Sequence, residues 1–195
     1  MIKSIFYVAI TLSAFACSSI VSTKTTIAIQ PFENIDTTLL NTIAKKLEEK
    51  YNIETIILDN IELPETCYYK PRNRYRADKL LAYLKSIKPK EAKYILGITN
   101  KDISTTVHQQ KDFGIFGLGY CPGKSCIVST HRIKHQDNSV FISRLLKISL
   151  HEVGHNFGLK HCPNKNCLMT DAEKSIKTID NAKLNICSDC SQKIN

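Results

Sequence analysis

The chain of 195 residues has little of what marks disordered, fibrous or membrane-spanning proteins. It contains seven Gly and six Pro, no low-complexity stretch and no internal repeat. This excludes long disordered segments and repeat architectures. No apolar run is long enough to cross a bilayer, since the run at Ser4–Ala16 has 13 residues and a spanning helix needs about 20. Apolar residues form 43% and charged residues 23% of the chain, which indicates one globular domain.

The first residues are typical of an export signal. Lys3 precedes the apolar run, and Ala14 and Ala16 place small residues at a cleavage point before Cys17. Small residues before a cysteine resemble a bacterial lipobox, so Cys17 is a candidate for lipidation. Ordinary cleavage at the same bond and a buried N-terminal strand are the alternatives. We predict a signal peptide over 1–16, a linker over 17–24, and an exported protein of the periplasm or cell envelope that a lipid on Cys17 attaches to a membrane.

Positive charge is concentrated between Lys70 and Lys93. Nine basic residues against Asp78 and Glu91 leave this window with +7 of the net charge of +9. Such a region can bind nucleic acid, anionic lipid or an acidic substrate. The alternative is a solvated helix face followed by a basic loop. We favour this alternative, and expect no nucleic-acid partner, because no nucleic-acid-binding module accompanies the charge.

The hydrophobic pattern predicts an α/β fold. Alternating or β-branched segments predict strands at 25–30, 53–58, 94–99 and 126–130. Helical periods predict three helices: one capped by Asp36 and running to about Tyr51, one from Arg76 to Ile87, and one capped by Asn138 or Ser139 and running through Phe157. The glycine-rich segment 112–120 predicts an edge strand, and 62–75 predicts a loop. We expect a mixed, twisted sheet with helices packed on it.

The last predicted helix carries the motif HExxHxxGxxH. His151 and His155 lie one turn apart on one helix face, so both can bind one zinc ion. Gly158 can end the helix in a left-handed conformation, which returns His161 as the third ligand. Three ligands leave one position for a water whose pKa zinc lowers to about 7. Glu152, beside the first ligand, is placed to take the proton of that water.

Four cysteines form a second pattern after the motif. Cys162 and Cys167 are separated by four residues, and Cys187 and Cys190 by two. Two closely spaced thiol pairs are typical of a structural zinc site with four thiolates, which would staple the C-terminal segment to the domain. Two disulfides that cross-link the pairs are the alternative, because an exported protein meets oxidising conditions.

The remaining cysteines, histidines and the motif methionine have simpler interpretations. Met169 is expected to lie beneath the imidazoles as a Met-turn, rather than as an ordinary core residue. Cys121 and Cys126 either close a small disulfide loop or are both reduced, and Cys67 is a buried or free thiol. The other histidines, His108, His131 and His135, have no ligand spacing to the motif and are expected on the surface or in loops. His131 is near enough to the edge-strand hairpin to touch a substrate.

The complete pattern resembles the signature of the archaemetzincin family, HExxHxxGxxHCx4CxM, then seventeen residues, then CxxC. It covers His151 to Cys190, and a weaker likeness extends upstream through 114–132 and 72–84. The resemblance implies a metzincin-like catalytic domain over 25–195, peptide hydrolysis with an aminopeptidase tendency, and two zinc ions per chain. His151, His155 and His161 would bind the catalytic ion, and the four cysteines the second. The export signal departs from the family's pattern.

The sequence therefore predicts a monomeric zinc metallopeptidase acting on peptides or proteins. Substrates would bind by strand addition along the edge formed by Gly114, Ile115, Phe116, Gly117 and Leu118. The alternative is a catalytically weak, zinc-stabilised binding module at a membrane surface, which would recruit a partner through the 70–93 region. A binding module has no need of Glu152, which favours the enzyme.

Overall fold

The computed structural model describes residues 24–171 and 175–194. The predicted signal peptide and Cys17 lie outside this part. In chain order its elements are β1 (Thr26–Phe32), α1 (Thr37–Tyr51), β2 (Glu54–Ile57), β3 (Tyr68–Tyr69), β4 (Arg74–Arg76), α2 (Ala77–Ile87), β5 (Tyr94–Thr99), β6 (Ile103–Val107), β7 (Gln110–Ile115), β8 (Gly117–Gly119), β9 (Ser125–Ser129), α3 (Asn138–Asn156), α4 (Ile176–Asn181) and α5 (Ser188–Ser191). No helix within the described ranges is long and apolar enough to cross a bilayer.

The main sheet has five strands in the order β2-β1-β5-β9-β8. The first four are parallel, and β8 pairs antiparallel with β9 at one edge. Helices connect β1 to β2 and precede β5, as parallel pairing requires. The predicted α/β class is therefore confirmed, and the predicted helices at 36–51 and 76–87 agree with α1 and α2 within one residue.

Both faces of this sheet are covered, and the alternation of side chains along each strand decides which layer they join. Ile27 and Ile29 of β1 face the layer of α1 and α3. Ala28, between them, faces the layer of α2. β9 repeats this arrangement, since Val128 packs with α1 and α3 and Ile127 with α2. The sheet thus holds the motif helix α3 on one face as a fixed layer of the core.

A second sheet corrects the sequence analysis at two places. Its strands run in the order β3-β4-β6-β7. Segment 62–75, expected as a loop, contains β3, two short 3-10 turns and the start of β4. Segment 112–120, expected as one edge strand, is divided between β7 of the second sheet and β8 of the main sheet. The chain changes sheets at Phe116, which the alternating pattern alone does not reveal.

Candidate metal centre and cleft

Helix α3 is fixed at both ends. The Asp137 carboxylate accepts a hydrogen bond from the backbone N–H of Ser139 at 2.8 Å, so Asp137 is the N-cap. The expected cap at Asn138 or Ser139 was wrong, because these residues already belong to the first turn. The helix ends at Asn156 and spans the first two motif histidines, so their spacing on one face is a property of regular helix.

Gly158 turns the chain back toward the helix. Its φ is 91°, in the left-handed region. Its N–H donates to the carbonyl of His155 at 2.8 Å, and the N–H of Leu159 donates to that of Gly154 at 3.0 Å. These two bonds are the pair of a Schellman motif, in which glycine avoids the strain that a Cβ would add. The turn brings His161 back to the other two histidines.

The three imidazoles converge on one point. One ring nitrogen from each of His151, His155 and His161 lies within 4.8 Å of the others, and the ring centroids are 4.6 to 5.4 Å apart. The Nδ1 atoms of His151 and His155 lie 2.9 and 2.7 Å from the carbonyls of Leu168 and Leu159. Because a carbonyl only accepts, both Nδ1 atoms carry the proton and both Nε2 atoms keep a lone pair for a metal.

The electrostatic environment favours the neutral form of two of the rings. Burial lowers the pKa of His151 to about 4 and also lowers the pKa of His155. Both rings are therefore neutral at physiological pH, which is the form that binds zinc. His161 is half exposed, and its Nδ1 lies 3.4 Å from the Asp171 carboxylate. The donor set and its protonation thus fit a zinc ion with three nitrogen ligands.

Glu152 is held against the edge strand β8. A Cβ added to Gly117 would lie 2.9 Å from its Oε1, and one added to Gly119 would lie 3.3 Å from its Oε2. An added Cβ at Gly119 would also lie 2.7 Å from the backbone carbonyl oxygen of Glu152, so side chains at these two positions would force β8 away from Glu152. The side chain is buried, and burial raises the pKa of Glu152 to about 8. A carboxyl with a pKa near neutrality can both accept and return a proton.

The histidines form the floor of a cleft with a volume of about 400 Å³. One wall is the segment Phe113–Gly119, which includes all five residues that the sequence analysis assigned to substrate. The other wall includes Leu168 and Thr170, which follow the third histidine, and three residues of the C-terminal part, Thr178, Ile179 and Ala182. The floor between the walls is helix α3, which contributes Lys147 and Ile148 besides the motif residues.

The four cysteines form a second cluster behind His161. Their sulfur atoms all lie within 4.8 Å of one another, and the Sγ atoms of Cys162 and Cys187 are 3.8 Å apart. Two thiolates of a tetrahedral zinc site, each about 2.3 Å from the ion, are separated by about that distance, whereas a disulfide bond measures about 2.05 Å. The N–H groups of Met169 and Cys187 point to the Cys167 sulfur at 3.5 and 3.4 Å. The cluster therefore fits a tetrathiolate metal site and not the disulfide alternative.

Met169 lies between the two clusters. It is fully buried and packs with Leu159, Cys167 and Cys190. A Cβ added to Gly154 of the motif would lie 2.6 Å from the Met169 sulfur and 3.0 Å from the Tyr51 hydroxyl oxygen. The glycine inside HEVGH thus leaves room for the methionine against α3, and a Met-turn beneath the imidazoles stays a prediction.

The remaining thiols and histidines lie outside both clusters. Cys67 is buried and free, as predicted. Cys121 and Cys126 are also free, since the Cys121 thiol donates to the carbonyl of Leu159 at 3.3 Å while Cys126 is buried in the main sheet. Three exposed histidines are not among the residues that line the cleft, although His108 directly follows the lining residue Val107; they are His108, His131 and His135.

The arginines of the 70–93 region have partners within the fold. Arg74 binds the Asp102 carboxylate and the carbonyl of Asp112, both at 2.7 Å. Arg76 donates to the Thr106 hydroxyl at 2.9 Å and to the carbonyl of Lys111. Their side chains are only 19% and 13% exposed. Arg72 is 59% exposed and pairs with Asp112. These three arginines, out of nine basic residues in the region, therefore link the segments that form the second sheet.

Three features of the site carry no motif in the sequence. Tyr51 of α1 donates to the carbonyl of Leu150 at 2.6 Å beneath the motif helix. Asp171 lies two residues after Met169, and its carboxylate is 3.4 Å from Nδ1 of His161. Helix α4, which lines the cleft, begins more than twenty residues after the start of the motif. In the sequence pattern, Tyr51 is indistinguishable from the other apolar positions of its helix. Helix α4 is too short for its periodicity to be recognised.

A helix-borne histidine pair, a returning third histidine and a buried glutamate in a substrate-sized cleft define a zinc metallopeptidase. A family model described as peptidase family M54 matches residues 23–195, and the chain belongs to this family. The archaemetzincin of Methanopyrus kandleri is 36% identical over 131 residues, 67% of this chain and 71% of that protein. The archaemetzincin of Archaeoglobus fulgidus is 30% identical over 168 residues, 86% of this chain and 98% of that protein.

Solved structures of the same proteins share the fold. The Methanopyrus kandleri archaemetzincin superposes with a TM-score of 0.77 at 28% identity, covering 88% of this chain and 93% of the other. The Archaeoglobus fulgidus archaemetzincin, complexed with malonate, superposes with a TM-score of 0.74 at 28% identity, covering 87% and 99%. The resemblance stated from the cysteine and histidine pattern is thereby confirmed, and so is the assignment as a zinc metallopeptidase.

Proposed function

We propose that the protein hydrolyses peptide bonds with Glu152 as general base and acid, and that His151, His155 and His161 hold the catalytic zinc. The observation that carries the proposal is the convergence of three imidazoles beside one buried carboxyl group on the floor of the cleft. A bound zinc ion supplies a Lewis acid that polarises the scissile carbonyl and stabilises the oxyanion.

The residues of the chain supply the proton transfers. Glu152 accepts a proton from the attacking water and returns it to the leaving amine. The contacts with Gly117 and Gly119 limit the positions that its carboxylate can take, so the base is oriented before substrate binds. Burial raises its pKa, and the positive charge of a bound ion opposes this effect.

The peptide is proposed to bind along the wall formed by Gly114–Leu118. These residues line the cleft on the side of Glu152. β7 pairs with β6, and β8 pairs with β9, so each has a second edge that can accept an added strand. An extended substrate on this wall would present its backbone to the floor of the cleft, where the imidazoles lie.

We propose that the cysteine cluster of Cys162, Cys167, Cys187 and Cys190 holds a second zinc ion with a structural role. Cys167 and Cys190 are almost fully buried, which leaves little access for water and fits a closed site. The site would tie α5 to the turn after the motif, since Cys190 belongs to α5. Two zinc ions per chain follow from this assignment, and a metal count on the purified protein measures them.

The central experiment is a peptide-library digest read by mass spectrometry, comparing the zinc-loaded protein with Glu152→Ala. We expect cleavage only by the unaltered protein, with equal zinc content in both. Glu62→Ala, an exposed glutamate outside the cleft, is the matched control and should cleave as the unaltered protein does. Equal turnover by Glu152→Ala would refute the role of Glu152.

Aminopeptidase action is the finer proposal that the family resemblance implies. Pairs of peptides with free and acetylated amino termini test it, because an aminopeptidase removes residues only from the free form. Internal cleavage of both forms at equal rates would instead establish an endopeptidase.

Export, lipidation of Cys17 and a monomeric state are also proposed. The intact mass of the mature protein distinguishes cleavage before Cys17 with an attached lipid from simple cleavage. Fractionation of cells gives the compartment, and light scattering on the lipid-free protein gives the oligomeric state.

A further inference from the structure

Strand β8 has few side chains with which to hold its place against the motif helix. It has three residues, lies at the edge of the main sheet and pairs with β9 along one side. Two of the three residues are Gly117 and Gly119, which have no side chain to pack on α3. The third, Leu118, packs with the α2 layer on the other face of the sheet. The spacing between β8 and α3 must therefore be set by neighbouring contacts.

Asn156, the last residue of α3, supplies such contacts just beyond β8. Its side-chain amide donates to the carbonyls of Tyr120 and Ser125, at 3.1 and 3.0 Å. Its own carbonyl accepts a hydrogen bond from the N–H of Gly123 at 3.4 Å. Tyr120 directly follows β8, and Ser125 begins β9. One residue of the motif helix thus binds the connection between the two strands at both ends and near its middle.

The chemistry of this contact requires a side-chain amide. Both acceptors are main-chain carbonyls, and the NH2 group of Asn156 offers two donors at the end of a short side chain. An aspartate has the same shape, but its carboxylate only accepts, and a serine offers one donor. Asn156 is 2% exposed, so water cannot readily replace a lost hydrogen bond. An added Cβ at Gly123 would lie 3.1 Å from the amide nitrogen, so the loop is packed closely around it.

Asn156 and Glu152 lie one helical turn apart on α3, so they face the same neighbour. Glu152 lies against the two glycines of β8, and Asn156 holds the loop that leaves β8. Between the two side chains, an added Cβ at Gly119 would lie 2.7 Å from the backbone carbonyl oxygen of Glu152. Strand β8 therefore packs directly on the backbone of α3, and its distance from the carboxyl group depends on the contacts of Asn156.

We propose that Asn156 is a positioning residue, which sets the spacing and register of β8 relative to Glu152. A peptide that adds to β8 is thereby aligned with the carboxyl group, although Asn156 does not itself line the cleft. The alignment of a peptide rests on the proposed peptidase function and on strand addition along this wall. The position of β8 in the protein without substrate rests on neither.

Hydrogen exchange of the full chain, read by mass spectrometry, tests the position of β8 without a substrate. In Asn156→Asp the backbone amides of segment 117–123 should exchange about tenfold faster, because this segment is released from α3. The matched control is Asn100→Asp, which removes an amide–carbonyl hydrogen bond to Glu33 of 2.9 Å outside the cleft lining. This control should leave the exchange of 117–123 unchanged. Equal exchange of 117–123 in Asn156→Asp and in the unaltered protein would overturn the inference.

Cleavage kinetics test the alignment, with a peptide that the library digest identifies as a substrate. In Asn156→Asp we expect kcat to fall by about 100-fold and KM to change by less than about threefold, because a displacement of about 1 Å disturbs the reacting geometry while the main chain of β8 still binds the peptide. Asn156→Ser keeps one donor, should lose about tenfold in kcat, and serves in place of the aspartate variant if that variant does not fold. Zinc content should be the same in all variants. A rise in KM with an unchanged kcat, or equal kcat values for Asn156→Asp and Asn100→Asp, would contradict the positioning role.

A double variant tests whether Asn156 acts through β8. Gly119→Ala displaces β8 directly, since its Cβ would meet the backbone of Glu152. The combined loss of kcat in Gly119→Ala with Asn156→Asp should be smaller than the product of the two single losses. A full product would show that the two residues act independently, against the inference.

The two readouts separate this inference from the proposed function. If the unaltered protein cleaves no peptide while exchange of 117–123 rises in Asn156→Asp, the peptidase function is refuted and the positioning of β8 by Asn156 is supported. If the protein cleaves peptides and Asn156→Asp changes neither exchange nor kcat, the role of Asn156 alone is refuted.

Discussion

The histidine cluster and the cysteine cluster share one turn of the chain but differ in exposure. His161 is half exposed at the floor of the cleft, whereas Cys167 is fully buried and Cys190 is 4% exposed. Their sequence positions adjoin at His161 and Cys162. An open donor set leaves room for water and substrate, and a closed set leaves none. The short segment at His161 and Cys162 therefore borders the open cleft on one side and the buried cysteine cluster on the other.

The largest effect on stability is expected from the closed cluster. Cys190→Ala should lower the free energy of unfolding by more than about 4 kcal/mol, because loss of a structural metal is among the most destabilising changes. Denaturant unfolding and a zinc count measure this. Cys67→Ala removes a buried thiol outside both clusters and should cost only about 1 kcal/mol. Equal losses for the two variants would contradict a structural metal at the cysteines.

The next largest effect on stability is expected at Gly154 and Met169, which pack against each other between the two clusters. Gly154→Ala should destabilise by about 1–3 kcal/mol, because the new Cβ would lie 2.6 Å from the Met169 sulfur. At an unobstructed helix position the same change stabilises by up to about 1 kcal/mol, so the sign of the effect is diagnostic. In a double-mutant cycle with Met169→Ala, the combined loss should be smaller than the sum of the two single losses.

A smaller effect on stability is expected from α4, which forms a wall of the cleft beside the histidine cluster. Hydrogen bonds from Arg144 lower the pKa of Asp180 in the folded protein. A lowered folded pKa contributes stability above the unfolded pKa of about 3.9, and this contribution is lost as the pH falls through the folded value. Asp180 is 35% exposed, so solvent screening limits the contribution to less than about 1 kcal/mol.

Unfolding measured between pH 6 and pH 3 checks this contribution. Asp180→Asn should remove part of the loss of stability below about pH 4. The exposed Asp59→Asn, outside the cleft, should leave the dependence on pH unchanged. If the free energy of unfolding of Asp180→Asn fell with pH as steeply as that of the unaltered protein, the carboxylate would not stabilise the α4 wall.

The smallest effect on stability should accompany a large effect on activity. His161→Ala truncates a half-exposed side chain, so the free energy of unfolding should change by no more than about 0.5 kcal/mol. Peptide cleavage should fall by more than the about 10- to 100-fold typical of outer-shell changes, since a proposed ligand is lost. His131→Ala, exposed and outside the cleft, should change neither quantity. A large loss of stability in His161→Ala would remove the functional contrast between the two clusters.

Local patterns were sufficient to predict the components of the site. The helical spacing of His151 and His155 needs only a regular helix, and the turn at Gly158 needs only the left-handed conformation that glycine tolerates. The class of fold also followed from periodicity, because α1 and α2 each present one apolar face. Segment 112–120 was described incorrectly as one strand, because alternation does not tell which sheet a strand joins.

The side chains of the two clusters could be predicted from their spacing along a helix and a turn, because this spacing is a local property of the chain. The residues that surround the clusters depend instead on tertiary contacts. Gly117 and Gly119 meet Glu152 only because β8 lies at the sheet edge beside α3. Ile179 faces the cleft only because Arg144 and Lys147 hold α4 there. Such contacts join residues distant in the chain, and their energies depend on packing that no local pattern records.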